Sequence, residues 1–447
     1  MKRKFLALCS LVVAELLIPG LASASTAGDA AAINTGDTAF MFVATGLVFL
    51  MTPGLALFYG GMVRKKNVLN TMLCSFVLIG LVTIQWVLFG YSLAFGADAF
   101  GGLIGGLEYL GFSGVGGAPC AYAATIPQGL FAMYQLMFAI ITPAIITGAF
   151  VERFRFPVYM AFALIWTTLV YDPLAHWVWG AGGWLMEMGA LDFAGGTVVH
   201  VSSGVAGLVA VLVIGKRKDY KLIPMFPHNT PFIMLGAAML WFGWFGFNAG
   251  SALGLSTSSL AVIAFITTNV SAAAAMLSWL AVEWIHNKKP TLLGASTGAI
   301  VGLVAITPAA GFVSVASAIA IGLITAPLCY FGISFLKVRL GYDDSLDAFG
   351  CHGIGGIWGA MATGLFCDPA INSAVKHSGL FLGGGLHQLG VQLLSVVVTL
   401  ALSGVVTFGA LKLIARVTAL RVSANDEIMG LDISVHGEDA YRDLVTE

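Results

Sequence analysis

Eleven apolar stretches recur along this 447-residue chain, near 39–62, 68–95, 129–150, 156–171, 195–214, 232–248, 260–284, 292–306, 312–335, 349–366 and 386–415. A hydrocarbon core ~30 Å thick takes roughly 20 residues of helix to cross. Lipid offers backbone N–H and C=O groups no partners, so such stretches must close their hydrogen bonds internally as helices. The expected fold class is therefore an all-α polytopic membrane protein with eleven transmembrane helices. Composition agrees: 58% of residues are hydrophobic and 10% charged, against roughly 25% charged in a soluble domain. A soluble globule is excluded, and a net charge of −1 offers no electrostatic footprint for nucleic acid.

The few basic residues set the topology. Arg64-Lys65-Lys66, Arg153 with Arg155, Lys216-Arg217-Lys218 with Lys221, Lys288-Lys289, and Lys337 with Arg339 follow the first, third, fifth, seventh and ninth stretches. Lys412, Arg416, Arg421 and Arg442 accompany the last, which leaves only Lys376 for the opposite side. Basic connections stay cytoplasmic, so the expected protein is a multi-pass protein of the inner (plasma) membrane, N-terminus outside and C-terminus inside. The segment 1–24 reads as a cleaved signal peptide: Lys2, Arg3 and Lys4, an apolar run, Pro19-Gly20, then Ala22-Ser23-Ala24. Glu15 is atypical within that run. A transmembrane domain over 36–416 and a cytoplasmic tail over 417–447 complete the expected organisation. The six cysteines have no metal spacing. Cys120 and Cys367 fall on the oxidising side, where a disulfide is chemically allowed.

A second regularity is internal. His200 is followed by Gly204, Gly207 and Ala210, and His352 by Gly356, Gly359 and Ala362, at identical offsets. Five stretches separate the two copies, so the second is inserted upside down. This is the mark of an inverted repeat, spans 1–5 matching 6–10, with a site near the midplane between the halves.

Ionisable groups inside spans are costly and mark pathways. His200, eight residues beyond Asp192, lies ~12 Å along its helix, and His352 enters from the other side. Two adjacent imidazoles in an apolar setting are neutral and share a hydrogen bond, because desolvation disfavours the imidazolium. The alternative is that each His satisfies a backbone carbonyl as a packing residue. Tyr134 and Phe138 share a helix face one turn apart. Trp244, Phe247 and Ser251 lie on a span that runs outward, and Trp179 is at outer depth. A single interfacial aromatic is usually a membrane anchor. Several converging rings with one hydroxyl instead suit a small cation, worth ~0.5–2 kcal/mol per ring face.

At these residues the chain resembles the ammonium transporter family (Amt/Mep/Rh), in its bacterial Amt branch. The resemblance is carried by the segments Pro53–Gly61, Leu191–His200, Trp244–Ser251 and Phe349–Gly353. It implies one pore per subunit and an outer ammonium recruitment site of Trp179 and Ser251 with Tyr134 as a third wall. It also implies a ring gate of Phe138 over Phe247, and His200 with His352 as the twin-His pair. Asp192 resembles the family's buried aspartate, which holds donors in place, and Trp244 and Thr307 support the pore lining. Tyr134 departs from the Phe of many bacterial members. The resemblance further implies a homotrimer, methylammonium as a substrate analogue, and a tail over Leu431–Glu438 that docks a PII-type signal protein. No cofactor, metal or enzymatic activity is expected. The rival function is an ammonium sensor with little flux.

Overall fold

The computed structural model describes residues 33–256 and 258–441. The signal-peptide segment and Arg442 lie outside the described residues. Eleven main helices follow one another: Thr35–Met62 (α1), Lys65–Phe95 (α2), Gln128–Phe150 (α3), Phe156–Glu187 (α4, interrupted at Gly180), Gly196–Ile214 (α5), Thr230–Ala252 (α6), Leu260–Asn287 (α7), Leu292–Ile306 (α8), Val315–Leu340 (α9), 349–366 (α10) and His387–Val417 (α11). Among the described residues the only extended pairing is three isolated bridges, as lipid requires of a chain that closes its backbone bonds within helices. Nine of the eleven are long and apolar enough to cross a membrane. The other two are α8, with 15 residues, and α10, which spends six of its positions on Gly and one on His352. By length and composition alone, nine of the eleven qualify as crossings.

The inverted repeat is visible in the packing. Helix α1 lies along α6, its counterpart, and α5 crosses α10. Both crossings depend on missing side chains. A Cβ on Gly204 would lie 2.3 Å from the Gly353 nitrogen, and one on Gly356 would lie 3.0 Å from the Gly196 oxygen and 3.1 Å from His200 Cβ. The shared glycine offset therefore marks the point where the two histidine-bearing helices touch backbone to backbone.

One end of the bundle is tied by ions. Arg64 pairs with Glu152 and Asp219, and Arg217 with Asp343 at 2.7 Å. Arg153, fully buried, donates to the carbonyls of Gly215 (2.9 Å) and Asp343 (2.6 Å) and to Ser345 Oγ (2.8 Å). Burial opposes ionisation of Glu152, yet hydrogen bonds and charge from Arg64, with Arg217 adding to them, hold its carboxyl below the usual range. The tail seals this basic end. A capping box at Ser423 starts a short helix, Ala424–Met429. Asp432 then accepts N–H bonds from Leu69 (3.0 Å) and Asn70 (2.8 Å) in the first α-helical turn of α2, which begins at Val68, where a carboxylate is favoured by the helix dipole. Cys120 and Cys367 are free thiols, and Cys367 is fully buried.

Candidate functional site

Three cavities lie in series through the bundle. At the end opposite the arginines, the mouth, a cavity of about 330 Å³ is lined by Phe131, Gln135, Phe138, Trp179, Phe193 and Ser251 among others. The middle cavity holds only about 20 Å³, bounded by Leu55, Ile141, Val199, His200, Trp244, Phe247 and His352. That is room for about one water-sized molecule. Towards the basic end a third cavity of about 290 Å³ opens between Phe58, Met62, Glu283, Asp347 and Cys351.

Rings separate the first two cavities. Phe138 on α3 and Phe247 on α6 have centroids 4.2 Å apart at 35°, and both are essentially without solvent exposure. Trp179 meets Phe138 edge-on at 6.1 Å. Its indole N–H is already committed to the Asp192 carbonyl at 2.8 Å, so what Trp179 presents to the cavity is its ring. Ser251 donates to the Phe247 carbonyl at 2.9 Å, a choice that leaves oxygen lone pairs free as acceptors. Tyr134 is arranged differently from the third wall expected of it. It is fully buried, and its hydroxyl reaches the Gly246 and Phe247 carbonyls, both at 2.9 Å, and Ser251 Oγ at 3.3 Å. Tyr134 is not among the residues lining the mouth cavity; it braces the end of α6 from which Ser251 projects.

Deeper, His200 and His352 approach with Nδ1 to Nδ1 at 3.2 Å and ring centroids at 5.2 Å. At this separation one ring donates and the other accepts, which requires at least one neutral imidazole. Each histidine sits in a π-helical turn, Gly196–Val201 and Phe349–Gly353, the widened geometry often found at functional sites. Trp244 stacks on His200 at 5.4 Å and 29°, and its indole N–H is held by Thr307 Oγ1 at 2.8 Å. His200 Nε2 is buried without a partner.

The two π-helical turns have matching anchors. Asp192 accepts N–H bonds from Gly195 (2.7 Å), Gly196 (2.6 Å) and Thr197 (2.7 Å), and the Thr197 hydroxyl at 2.5 Å. Gly195 has φ +115°, open to glycine alone, and this turn is what folds the chain back onto the carboxylate. Asp192 touches donors and does not line the mouth cavity. Across the repeat, Asp344 accepts from Ala348 (3.0 Å) and Phe349 (2.8 Å). Sequence reasoning named no carboxylate partner for His352 and missed Asp344. The signal was present, because Asp344 precedes His352 by the same eight residues that separate Asp192 from His200. It also missed the support from α11: Gln392 bonds both the N–H (2.8 Å) and the C=O (2.7 Å) of Leu191, and Gln388 reaches the Gly189 carbonyl at 2.9 Å. Among the described residues no group of three or more His, Cys, Asp or Glu is placed to hold a metal.

Comparison with known proteins matches this arrangement to one family. The Ammonium Transporter Family model matches residues 39–441. An ammonium transporter of Bacillus subtilis is 54% identical over 411 residues, covering 92% of this chain and all of that protein. A putative ammonium transporter of Methanothermobacter thermautotrophicus is 50% identical, covering 92% and 99%. Among solved structures, Saccharomyces cerevisiae Mep2 superposes with a TM-score of 0.82 at 38% identity, covering 88% of each chain. A structure titled Sensor Amt Protein superposes with a TM-score of 0.82 at 30% identity, covering 90% of this chain and 98% of that one. The chain belongs to the ammonium transporter family: it is a multi-pass membrane protein whose activity is ammonium transport, not enzymatic catalysis.

Proposed function

We propose that this transporter recruits NH4+ in the mouth cavity against Ser251 and the faces of Trp179 and Phe138, removes one proton, and conducts NH3 past Phe138 and Phe247 into the two-histidine cavity and on to the cytoplasm. The observation that carries this reading is the series of volumes. A roomy mouth with an acceptor and ring faces leads, through two touching rings, into about 20 Å³ of otherwise apolar space holding two imidazoles. Carrying an ion whole through such a space costs far more than its contacts return. NH4+ avoids that cost by breaking one N–H bond, with the electron pair staying on nitrogen, and K+ has no such route. If the proton returns to the mouth side the flux is neutral; if it passes through the histidine pair or a water chain, transport carries current.

The rest of the reading concerns placement and assembly. The mouth faces outward and the arginine-rich end faces the cytoplasm of the inner membrane, as the positive-inside pattern requires. Residues 1–24 are a cleaved signal, 36–416 the transport domain and 417–447 the cytoplasmic tail. The protein works as a homotrimer with one pore per subunit, and its tail and basic loops receive a PII-type signal protein. The likeness to a Sensor Amt Protein favours one second reading, in which the chain reports ammonium with little flux. The test is solid-supported-membrane recording on proteoliposomes given ammonium or methylammonium, for wild type and His200→Ala/His352→Ala. Ammonium-dependent uptake that the double variant loses or alters supports transport through the pair. Saturable binding without uptake supports sensing, and uptake unaffected by both histidine changes refutes the pore assignment.

A further inference from the structure

We propose that Gln135 is a further ligand of the cation in the mouth, and that its side-chain oxygen sets the preference for ammonium over N-alkylated amines. This inference rests on the reading of the mouth as the recruitment site. Ammonium is distinguished from an alkali ion by four N–H donors in a tetrahedral array, and selecting it means answering those donors one by one. Ring faces answer some of them, and oxygen acceptors must answer the rest.

Side-chain oxygens are few among the residues lining the mouth: Tyr122, Ser251 and Gln135. The Tyr122 hydroxyl already accepts the Ala181 N–H at 2.9 Å. Ser251 spends its proton on the Phe247 carbonyl and keeps acceptor capacity. Gln135 Oε1 is buried and has no hydrogen-bond partner. A buried unpaired carbonyl is costly, and Gln135 lines the cavity, so a half-turn of its amide about the last side-chain bond, a soft torsion, brings the oxygen to the wall where a donor entering the cavity satisfies it.

Its position on α3 suits the role. Phe131, Gln135 and Phe138 are spaced i, i+4, i+7 and all line the cavity, so they form one stripe. Gln135 stands about 4.5 Å nearer the mouth than Phe138, above the ring contact and on the helix facing Ser251. An ammonium resting on Phe138 would then have an oxygen on either side, one from Gln135 and one from Ser251. Methylammonium has one N–H fewer and must turn its methyl group toward a wall, so it cannot answer the same set of acceptors and rings.

The experiment measures the apparent KM for ammonium and for methylammonium in proteoliposomes of wild type, Gln135→Leu, Gln135→Glu and Ser251→Ala, with melting temperatures for each. Losing one hydrogen bond to a charged donor corresponds to roughly tenfold in affinity. Gln135→Leu is therefore expected to raise the ammonium KM about tenfold and the methylammonium KM by much less, narrowing the ratio between them, with kcat little changed. Its melting temperature should be unchanged or higher, because an unpaired buried oxygen has gone. Gln135→Glu keeps the acceptor and adds charge, so its ammonium KM should be at or below that of wild type. An unchanged ratio in Gln135→Leu while Ser251→Ala weakens binding overturns the role of Gln135 and leaves the mouth reading intact. No change in either variant overturns the mouth reading itself. A tenfold weakening in Gln135→Glu also overturns the inference, since the acceptor is retained there and only a packing role would be lost.

Discussion

Replacing Gly204 by Ala tests whether the contact between α5 and α10 sets the geometry of the histidine pair. The added Cβ would sit 2.3 Å from the Gly353 nitrogen and 2.5 Å from its Cα. Both are backbone atoms, so no side chain can swing away, and ordinary van der Waals separation begins near 3.4 Å. The helices must part by about 1 Å, at a cost of roughly 1–3 kcal/mol typical of overpacking. Gly353 adjoins His352, so the same displacement stretches the 3.2 Å contact between the imidazoles to about 4 Å, beyond hydrogen-bond range. Gly46→Ala is the control, because a Cβ there meets nothing within 4 Å. Methylammonium uptake and thermal melting of purified protein give the readout. Gly204→Ala should lower the melting temperature by a few degrees and uptake by about tenfold or more, and Gly46→Ala should leave both unchanged. Wild-type uptake and melting in Gly204→Ala would show that the helices absorb the methyl group without moving, and the geometric argument would fail.

Two other perturbations follow from single contacts. Thr307→Val deprives the buried Trp244 indole of its partner, which costs about 1–3 kcal/mol; Thr307→Ser keeps the hydroxyl and should restore both melting temperature and uptake. Asp344 is buried, and burial with the charge of Asp347 beside it outweighs Lys337 and the backbone donors, so its carboxyl is pushed from 3.8 up to about 6. A carboxyl raised on folding stabilises fully below its unfolded value, and that stability is lost as pH rises through the folded one. The melting temperature of Asp344→Asn, which cannot titrate, should therefore rise relative to wild type between about pH 4 and pH 6. A constant difference across that window would refute the shift.

The sequence was most informative where a physical rule acts over many residues. Lipid leaves the backbone no choice but helix, so all eleven main helices were located from hydropathy alone. The histidine offset was legible for a related reason: two chains can cross at backbone distance only where neither carries a side chain, so Gly204 and Gly356 recur at fixed distance from the residues they bring together. What was not legible depends on where a side chain ends rather than where it starts. Tyr134 has the spacing of a cavity wall, yet its hydroxyl finds the carbonyls left open at the end of α6. Sequence spacing places the ring on a helix face and says nothing of which acceptor it reaches. Gln388 and Gln392 were invisible for the same reason, since their partners lie some 200 residues away in the chain.

The repeat also explains why two aspartates are kept at the edges of so apolar a bundle. A π-helical turn widens the helix, so its first N–H groups need an acceptor that the preceding chain cannot supply. Asp192 and Asp344 supply it at opposite ends, each eight residues from a histidine. Both carboxylates thus fix where an imidazole stands without entering the space it borders. On the proposed reading this division of labour is what the mechanism demands: charge close enough to hold the π-helical turns in register, and absent from the roughly 20 Å³ where a bare carboxylate would trap the cation that must give up its proton to pass.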